Sequence, residues 1–549
     1  MLLQAETYED VYSQFSWNIP NKFNMGIDVC DKHAAATPNK PGLIVADPNG
    51  KDIIYTFKHL KTLSNKLANV MIAKNVSRGD RLGIFLGQSV EAAIAHIAAW
   101  KMGAISIPLF TLFGEDALKF RLIDSGARML ITDTTQIHKL EIIRDNLPEL
   151  ETILVVGIGR DSDAFIDFWS AMDMAHDDLI PVDSLSHEPA FICYTSGTTG
   201  NPKGALHAHR TMFGHLTGME MFHDFLPQPG DLMWTPADWA WIGGMMNCLM
   251  CSWHHGVTNL AYRPEKYDPE EALHLMARYN VRNTFMPPTA LKLMRQVPNI
   301  PDFGTSLRSV AVAGEPMGGQ LLDWGREALG ITFNEFYGQT ECNLIVTNCQ
   351  KIMEVKPNHM GRAAPGHSVE VIDENGTILG PGLEGEVALK GPNPVLLLRY
   401  WNDMKATNQK YTNGWWRMGD KAIKDEDGYF RFIGRADDVI TTAGYRVGPG
   451  EIEDCLTKHD AVALAVAIGI PDPIRTEYIK VFIKLARGQN GSPQLEKNIQ
   501  DFVKTRLSPH EYPRAVEFIS ELPLTATGKV KRKELRDAEI LKLRAKNST

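Results

Sequence analysis

The chain has 549 residues, of which 44% are hydrophobic and 22% charged, and its formal net charge is −9 at pH 7. This length predicts three or four domains or subdomains, and the composition is ordinary for a soluble globular protein. The negative charge excludes a global field that would attract nucleic acid or an anionic membrane, so an anionic ligand must be held by local groups. Seven cysteines, an odd number, favour reduced thiols in a cytosol over a disulfide framework.

The start of the chain, MLLQAETYEDVYSQF, is acidic and lacks the apolar segment of a signal peptide. The most membrane-like window, residues 91–110, contains Glu91, His96 and Lys101 and is better explained by a helix, a turn and a strand. We therefore expect a soluble cytoplasmic protein with no membrane span and no nucleic-acid partner.

Between about residues 58 and 300, helix-period stretches alternate with short β-branched runs. The predicted elements are a helix in TFKHLKTLSNKLANVMIAKNV, a strand in DRLGIFLG, a helix in SVEAAIAHIAAWKMG and strands in AISIPLF, ARMLITD and LETILVVG. This rhythm predicts parallel sheets that are covered by helices on both faces.

The pattern changes between about 360 and 435, where short alternating strands and Asn-Gly and Asp-Gly turns predict a small antiparallel barrel or sandwich. After Asp437 a mixed helical and strand-like segment predicts a separate C-terminal α/β domain of about a hundred residues. We therefore expect an α/β fold. A large N-terminal domain, 1–436, would contain two parallel-type α/β subdomains and a small β-barrel, followed by a smaller domain, 437–549.

Residues 194–204, YTSGTTGNPKG, follow a predicted strand and combine glycines, hydroxyl groups and one lysine. Glycines let backbone N–H groups turn inward, hydroxyls donate further hydrogen bonds and Lys203 adds a positive charge, which together predict a cradle for a polyphosphate. The loop is not of the Walker A type, because Pro202 replaces the second glycine and Gly204 follows the lysine. A merely flexible turn is the alternative, but the lysine that closes the loop disfavours it.

Five later motifs accompany this loop in the order AGEP (313–316), EFYGQTE (335–341), GWWRMGD (414–420), GRADDVITTAGYRVGPGEIE (434–453) and PLTATGKVKR (523–532). Together the six resemble the adenylate-forming superfamily of acyl-CoA synthetases, peptide-synthetase adenylation domains and luciferases. The resemblance extends over essentially the whole chain.

This resemblance implies ATP and coenzyme A as cosubstrates, Mg²⁺ as the metal and a carboxylic acid as the substrate. Lys529 and Thr340 would act on the carboxylate and the α-phosphate, Glu341 would bind Mg²⁺, and Asp420 would accept both ribose hydroxyls. The residues that the resemblance assigns to ATP or AMP binding are Thr195, Ser196, Gly197, Thr198, Thr199, Gly200, Lys203, Gly314, Glu315, Pro316, Glu335, Phe336, Tyr337, Gly338, Gln339, Asp420, Arg435 and Arg446.

In this superfamily the carboxylate first forms an acyl-adenylate, and a thiol then attacks its carbonyl after the C-terminal domain has rotated. Asp437 matches the hinge position and Gly444 the loop that faces the thiol's tunnel. A free-standing CoA ligase is the leading interpretation. An adenylation module is less favoured because the chain lacks a carrier domain with its serine, and a luciferase-like oxygenase stays open. A non-catalytic adenylate-binding protein would be expected to lack Lys529 or Glu341.

The substrate's size is the least determined property. Superfamily members restricted to acetate carry tryptophan at the position of Gly338, where the indole forms the floor of the acyl pocket, so glycine would free room for several methylene groups. The stretch TPADWAWIGG (235–244) resembles the acyl-pocket segment, and two glycines in it, Gly243 and Gly244, would enlarge the pocket further. The residues predicted to line this pocket are Trp239, Trp241, Gly243, Met245 and Gly338.

These features favour a short- to medium-chain acid, linear or branched. Acetate or propionate and an aromatic or sulfur-containing acid stay open as substrates, and the aromatic residues of this segment can also belong to the hydrophobic core.

Two other patterns have simpler explanations. CLMCSWHH (248–255) has zinc-like spacing but lies in an apolar run, and His207 and His209 are expected to begin the helix after the phosphate loop.

Overall fold

The computed structural model describes residues 1–47, 50–195, 202–262, 264, 266–435, 438, 440–442, 445–472, 476–507, 511–525 and 530–547. Of the residues predicted to be functional, Ser196 to Gly200, Asp437, Gly444 and Lys529 lie outside these ranges, as do the side chains of Arg435 and Arg446.

The N-terminal part of the chain is built around two large sheets, whose central strands are parallel. The strands of the nine-stranded sheet, in spatial order, are Arg362–Ala363, Val346–Thr347, Asn334–Tyr337, Ser309–Val312, Asn283–Met286, Leu232–Trp234, Thr258–Ala261, Pro41–Val45 and Ile53–Thr56. Those of the eight-stranded sheet are Arg399–Tyr400, Gly204–Ala208, Pro189–Tyr194, Ile105–Pro108, Arg81–Phe85, Met129–Asp133, Thr152–Val156 and Ile166–Asp167.

Two smaller sheets follow. The antiparallel one contains Val369–Ile372, Glu384–Lys390, Tyr411–Thr412, Trp415–Lys424 and Phe430–Arg435. The C-terminal one contains Ile440–Thr442, Tyr445–Val447, Val462–Asp472, Thr476–Leu485 and Ala515–Phe518, of which the last pairs in parallel.

The α-helices among the described residues are Tyr8–Gln14, Lys32–Ala36, Phe57–Ala73, Val90–Lys101, Glu115–Ser125, Ile137–Ile143, Phe168–Met174, Thr211–Phe222, Cys251–His254, Pro269–Arg278, Pro288–Met294, Gly319–Ala328, Met404–Gln409, Pro449–Leu456, Pro493–Arg506 and Arg532–Asn547. Two π-helices, Ile27–Asp31 and Gly243–Met250, and three 3₁₀ turns, Thr134–Gln136, Arg144–Asn146 and Ile300–Phe303, complete the helical elements of this part.

Local sequence explains where several helices begin. Thr56 accepts a hydrogen bond from His59 N in a capping box at the start of Phe57–Ala73, and Asp268 caps Pro269–Arg278 just before its first-turn proline. The helix Val90–Lys101 is buried on every side and belongs to the main core, which draws residues from both large sheets. No helix in the described ranges is long and apolar enough to cross a bilayer.

Lys101 ends that buried helix and is itself fully buried. Its ammonium group pairs with Asp31 at 2.5 Å and donates to Ser64 Oγ and Asn65 Oδ1, each at 2.9 Å. Three partners match the three donors of an ammonium group, which is the condition under which a lysine can be buried.

Candidate active site

A cleft of about 2980 Å³ runs between the large N-terminal part and the C-terminal segment. It begins at the carboxyl ends of parallel strands, including Pro189–Tyr194, Ser309–Val312 and Asn334–Tyr337, where loops carry binding residues in α/β folds. The helix Pro449–Leu456 and residues 522–525 contribute the opposite wall. Most of the described residues that the motifs single out therefore meet at one cleft.

Asp420 lies at the centre of a hydrogen-bonded group on the cleft wall. The Tyr337 hydroxyl donates to Asp420 Oδ2 at 2.6 Å, and Gln339 Nε2 donates to the same oxygen at 2.5 Å and to Met418 O at 2.8 Å. The register also pairs Asp420 with the backbone of Arg435 across two antiparallel strands. These contacts fix a buried carboxylate beside the Tyr337 ring.

Glu341 is held by a residue that the motifs do not include. The Tyr400 hydroxyl donates to Glu341 Oε1 at 2.5 Å, and burial together with the Glu341 charge raises the pKa of Tyr400. Nζ of Lys203 lies 5.3 Å from the centre of the Tyr400 ring. Tyr400 thus joins the lysine of the phosphate loop to the predicted metal ligand. Nothing in the local sequence marks Tyr400, the tyrosine of LLLRYW (396–401), as a partner of Glu341.

A buried histidine also holds the turn that carries Thr340. His207 is fully buried, and its Nε2 donates to the carbonyl oxygen of Thr340 at 2.8 Å. Burial lowers the pKa of His207 to about 3, so its imidazole is neutral. The prediction that His207 begins a helix is wrong, because it lies in the strand Gly204–Ala208 and the helix begins at Thr211.

The base of the phosphate loop is closed by two reciprocal hydrogen bonds. Thr195 N donates to Lys203 O at 2.9 Å, and Lys203 N donates to Thr195 Oγ1 at 3.4 Å. Both residues line the cleft, and the lysine side chain is exposed to it. The two ends of the loop are thereby held at the edge of the cleft that also contains Glu341.

The AGEP segment and the start of the EFYGQTE strand form another part of the cleft wall. Gly314 and Pro316 are exposed in the cleft, and Glu315 Oε2 accepts a 2.9 Å hydrogen bond from Thr289 Oγ1. Glu335 is buried, and desolvation raises its pKa to about 8, although Met317 N contributes a long hydrogen bond of 3.4 Å. Glu335 is therefore mostly protonated at pH 7.

Phe336 points away from the Asp420 group, because neighbouring side chains of a strand face opposite sides. Its ring stacks on Phe222 at 4.5 Å and lies 5.4 Å from Phe285, which in turn lies 5.2 Å from Trp241. This row of aromatic rings leads from the nucleotide motif towards the predicted acyl end of the cleft.

The predicted acyl-pocket residues divide into two groups. Trp241 and Gly243 line the cleft, with a Cβ at position 243 lying 3.2 Å from the Phe285 ring. Trp239 and Met245 are buried in the main core, next to the cleft rather than on its surface. The prediction that Gly244 enlarges the pocket is wrong, because a Cβ there would lie 2.3 Å from the carbonyl oxygen of Asp238.

The prediction that Gly338 borders the acyl pocket is also wrong. Gly338 lines the cleft, but a Cβ at this position would lie 1.7 Å from the carbonyl oxygen of Asn343 and 2.7 Å from Leu344 N. A side chain at 338 would thus be directed into the backbone of its own turn and not into an acyl pocket. The absence of a side chain lets residues 338–344 fold back tightly.

The zinc-like pattern CLMCSWHH does not form a metal site in the described part of the chain, where no cluster of three or more metal-binding side chains occurs. Cys248 and Cys251 are buried in the core. His254 pairs with Asp28 at 2.6 Å and His255 with Glu220 at 3.0 Å, so both rings have partners of their own.

Comparison with known proteins agrees with this geometry. The AMP-binding enzyme family model matches residues 30–401, and the model of the AMP-binding enzyme C-terminal domain matches residues 451–529. The acyl-coenzyme A synthetase ACSM3, mitochondrial, of Rattus norvegicus is 33% identical over 97% of this chain and 93% of its own length. The acetyl-coenzyme A synthetase of Bacillus subtilis is 33% identical over 97% of this chain and 95% of its own.

Solved structures extend the comparison to the whole fold. The anthranilate CoA ligase AuaEII in complex with anthranoyl-AMP superposes with a TM-score of 0.88 at 26% identity, covering 96% of this chain and 99% of its own. MatB of Rhodopseudomonas palustris superposes at 25% identity over 94% of this chain and 99% of its own, with a TM-score of 0.83 when ATP is bound and 0.74 in the apo form. The chain therefore belongs to the AMP-binding enzyme family, and it is an AMP-forming acyl-CoA synthetase that uses ATP, CoA and a carboxylic acid.

Proposed function

We propose that this acyl-CoA synthetase activates a short- to medium-chain carboxylic acid, linear or branched. The observation that carries the proposal is the apolar end of the cleft, which Trp241, Gly243 and Phe285 line. Acetate or propionate is a second candidate, which the acetyl-coenzyme A synthetase of Bacillus subtilis supports. An aromatic acid is a third, which the likeness to an anthranilate CoA ligase supports. A sulfur-containing acid is a further candidate.

For the nucleotide, we propose that the Tyr337 ring stacks on adenine and that Gly314 to Pro316 cover its other side. Asp420 would accept the ribose hydroxyls, because a carboxylate fixed by Tyr337 and Gln339 can bind two adjacent donors. Lys203, the loop from Thr195 to Gly200 and Arg446 would bind the phosphates, and Arg435 would lie on the ribose side.

Glu341 fits a magnesium ion, which binds proteins through one or two carboxylates together with substrate phosphates. Its carboxylate is placed next to the Lys203 edge of the cleft by Tyr400. When bound, Mg²⁺ would neutralise charge that develops on the phosphates. The tyrosine hydroxyl orients the carboxylate, as hydrogen bonds to metal ligands commonly do.

In the first half-reaction the carboxylate attacks the α-phosphorus and pyrophosphate leaves. The residues assigned to this step are Lys529, which would bridge the carboxylate and the α-phosphate, and Thr340, whose hydroxyl would bind the α-phosphate. In the second half-reaction the CoA thiol attacks the acyl carbonyl and AMP leaves. We assign Asp437 to the hinge between the two states and Gly444 to the passage of the pantetheine arm.

We also propose that the present domain arrangement is the one that forms the adenylate. The higher TM-score to ATP-bound than to apo MatB supports it. In this arrangement the helix Pro449–Leu456 lies against the N-terminal part, and a Cβ at Gly318 would lie 2.2 Å from Asp454 Oδ1 of that helix. The proposed boundary between the domains stays at 436/437.

A cytoplasmic location is proposed from the cysteines. All seven are buried and unpaired, which agrees with a reducing compartment. The mitochondrial ACSM relatives make a mitochondrial location the alternative.

The test is a panel of linear C2 to C12 acids and their branched and aromatic counterparts, ranked by kcat/KM in acid-dependent pyrophosphate release and then in CoA-dependent AMP release. We expect a maximum between four and eight carbons. A maximum at acetate or at an aromatic acid would replace the proposed substrate class. Lys529→Ala is expected to abolish pyrophosphate release while leaving CoA transfer to preformed acyl-AMP nearly intact, and equal losses in both half-reactions would contradict the assigned role.

A further inference from the structure

Lys410 lies on the wall of the cleft beside the Asp420 group, and none of the motifs includes it. It follows the helix Met404–Gln409, and its backbone N–H donates to Thr407 O at 3.2 Å. Arg417 N donates to its carbonyl oxygen at 2.8 Å across the following turn. The backbone of Lys410 is thus held on both sides, and its partly exposed side chain lines the cleft.

The ammonium group of Lys410 is joined to the hydrogen bonds that hold Asp420. Its Nζ donates at 3.3 Å to Met418 O, the same oxygen that accepts from Gln339 Nε2 at 2.8 Å. Gln339 Nε2 in turn donates to Asp420 Oδ2. One carbonyl oxygen therefore links the lysine to the amide that fixes the carboxylate, and all four residues line the cleft.

The hydrogen atoms of the donors in this group can be counted. The Tyr337 hydroxyl has one, which Asp420 accepts, and Gln339 Nε2 has two, which Asp420 and Met418 accept. The Lys410 ammonium group has three, of which Met418 O accepts one. Lys410 forms no ion pair with a carboxylate in the described part of the chain. Of these three donors, Lys410 alone retains hydrogens for a bound molecule.

We propose that Lys410 is a further nucleotide-binding residue, which donates a hydrogen bond to a hydroxyl oxygen of the ATP ribose. This inference rests on the proposed function, which assigns Asp420 to the ribose. A ribose hydroxyl has one hydrogen to donate and an oxygen that accepts. When Asp420 accepts that hydrogen, the oxygen still needs a donor, and the neighbouring donors Tyr337 and Gln339 have none left. Lys410 supplies it.

The phosphates are the other acceptors of the nucleotide to which an ammonium group binds. Lys203 lies beside Tyr400, which holds Glu341, and it is already assigned to the phosphates. Lys410 instead shares its acceptor with Gln339, which fixes Asp420. Its position therefore favours the sugar, and a contact with the phosphate would give a different experimental result.

The experiment measures by calorimetry the Kd of AMP, 2′-deoxy-AMP and 3′-deoxy-AMP for the full chain and for Lys410→Met. Binding of AMP needs no carboxylic acid, so the result is independent of the acyl substrate. We expect Lys410→Met to bind AMP roughly ten- to hundred-fold more weakly, because a hydrogen bond from a charged group is lost. The deoxynucleotide that lacks the contacted hydroxyl should bind to Lys410→Met within about three-fold of wild type.

Lys405→Met is the matched control. Lys405 is exposed on the helix Met404–Gln409 and does not line the cleft, so this variant removes the same charge and should leave all three Kd values unchanged. An equal loss for the three nucleotides in Lys410→Met would indicate a contact with the phosphate and overturn the inference, while the ribose assignment of Asp420 stands. Equal Kd values for the three nucleotides in the wild type would refute that assignment, and the inference with it.

A second measurement uses the wild-type protein and does not require the variant to fold. Acetic anhydride acetylates accessible lysines, and mass spectrometry quantifies the reaction at each position. Saturating AMP should lower the acetylation of Lys410 several-fold and leave that of Lys405 unchanged. Equal acetylation of Lys410 with and without AMP would overturn the inference.

Discussion

The Tyr400 hydroxyl donates a 2.5 Å hydrogen bond to Oε1 of Glu341, although the two residues are 59 positions apart in the chain. The strand Arg399–Tyr400 pairs with Gly204–Ala208, directly after Lys203, and so brings the tyrosine to the phosphate loop. Leu397 N also donates to the backbone oxygen of Glu341 at 2.9 Å. The carboxylate assigned to Mg²⁺ is therefore positioned by a different strand from the one that leads into its motif.

Tyr400→Phe should raise the Mg²⁺ concentration that adenylate formation requires. A hydrogen bond to a charged group is worth about 1.5–3 kcal/mol, so we expect a loss of roughly ten- to hundred-fold in kcat/KM at low Mg²⁺. Pyrophosphate release measured across a Mg²⁺ series checks it. Tyr411→Phe, at an exposed ring that packs on Trp416, is the control. An unchanged Mg²⁺ dependence in Tyr400→Phe would contradict the positioning role.

Gly243→Val should shorten the range of accepted acids. Its Cβ would lie 3.2 Å from Phe285 and 3.5 Å from Trp241, so the valine side chain would crowd both rings at this end of the cleft. Overpacking costs about 1–3 kcal/mol, which predicts a roughly ten- to hundred-fold lower kcat/KM for acids of six or more carbons. Acetate should be little affected. Gly87→Val, where no atom lies within 4 Å of the added Cβ, is the control. A uniform loss at every chain length would place the acyl chain elsewhere.

Gly318→Ala should disturb the contact between the two domains. The backbone there has φ of +79°, and the added Cβ would lie 2.2 Å from Asp454 Oδ1. We expect adenylate formation to fall by about ten-fold, and CoA transfer to preformed acyl-AMP to change much less. Gly330→Ala is a matched control, because φ is +67° and its Cβ meets no atom within 4 Å. Equal effects of the two substitutions would show that backbone strain, and not the domain contact, is responsible.

Glu335→Gln should change how stability depends on pH. The pKa of Glu335 is raised to about 8 from the ordinary 4.5, so the folded protein binds more protons than the unfolded chain between these values. Its contribution to the free energy of unfolding therefore falls as pH rises through this window, by an amount on the order of a few kcal/mol.

The glutamine variant lacks this titration. The difference in unfolding free energy between variant and wild type, measured by urea titration, should increase in favour of the variant from pH 5 to pH 8. Glu327→Gln, at an exposed position on the helix Gly319–Ala328, should show no such trend. A pH-independent difference for Glu335→Gln would mean that Glu335 is ionised throughout.

The sequence by itself predicted helices and strands between residues 57 and 156 and the class of reaction. The periodicity of TFKHLKTLSNKLANVMIAKNV predicted a helix, and Phe57–Ala73 is one, because amphipathic spacing and the Thr56 cap act within a few residues. The alternation of strands and helices predicted the α/β fold, which is confirmed. The ordered motifs predicted an AMP-forming acyl-CoA synthetase, which the comparisons confirm.

Only the tertiary structure decided how side chains meet across the chain. The contacts of Tyr400 with Glu341 and of His207 with Thr340 join segments that are distant in the chain, which no local pattern encodes. The direction of a side chain at Gly338, into the Asn343 carbonyl, depends on the backbone angles of one turn, so the acyl-pocket prediction failed there. Sequence periodicity reports which face of an element is apolar, whereas the substrate contacts depend on where separate elements are brought together.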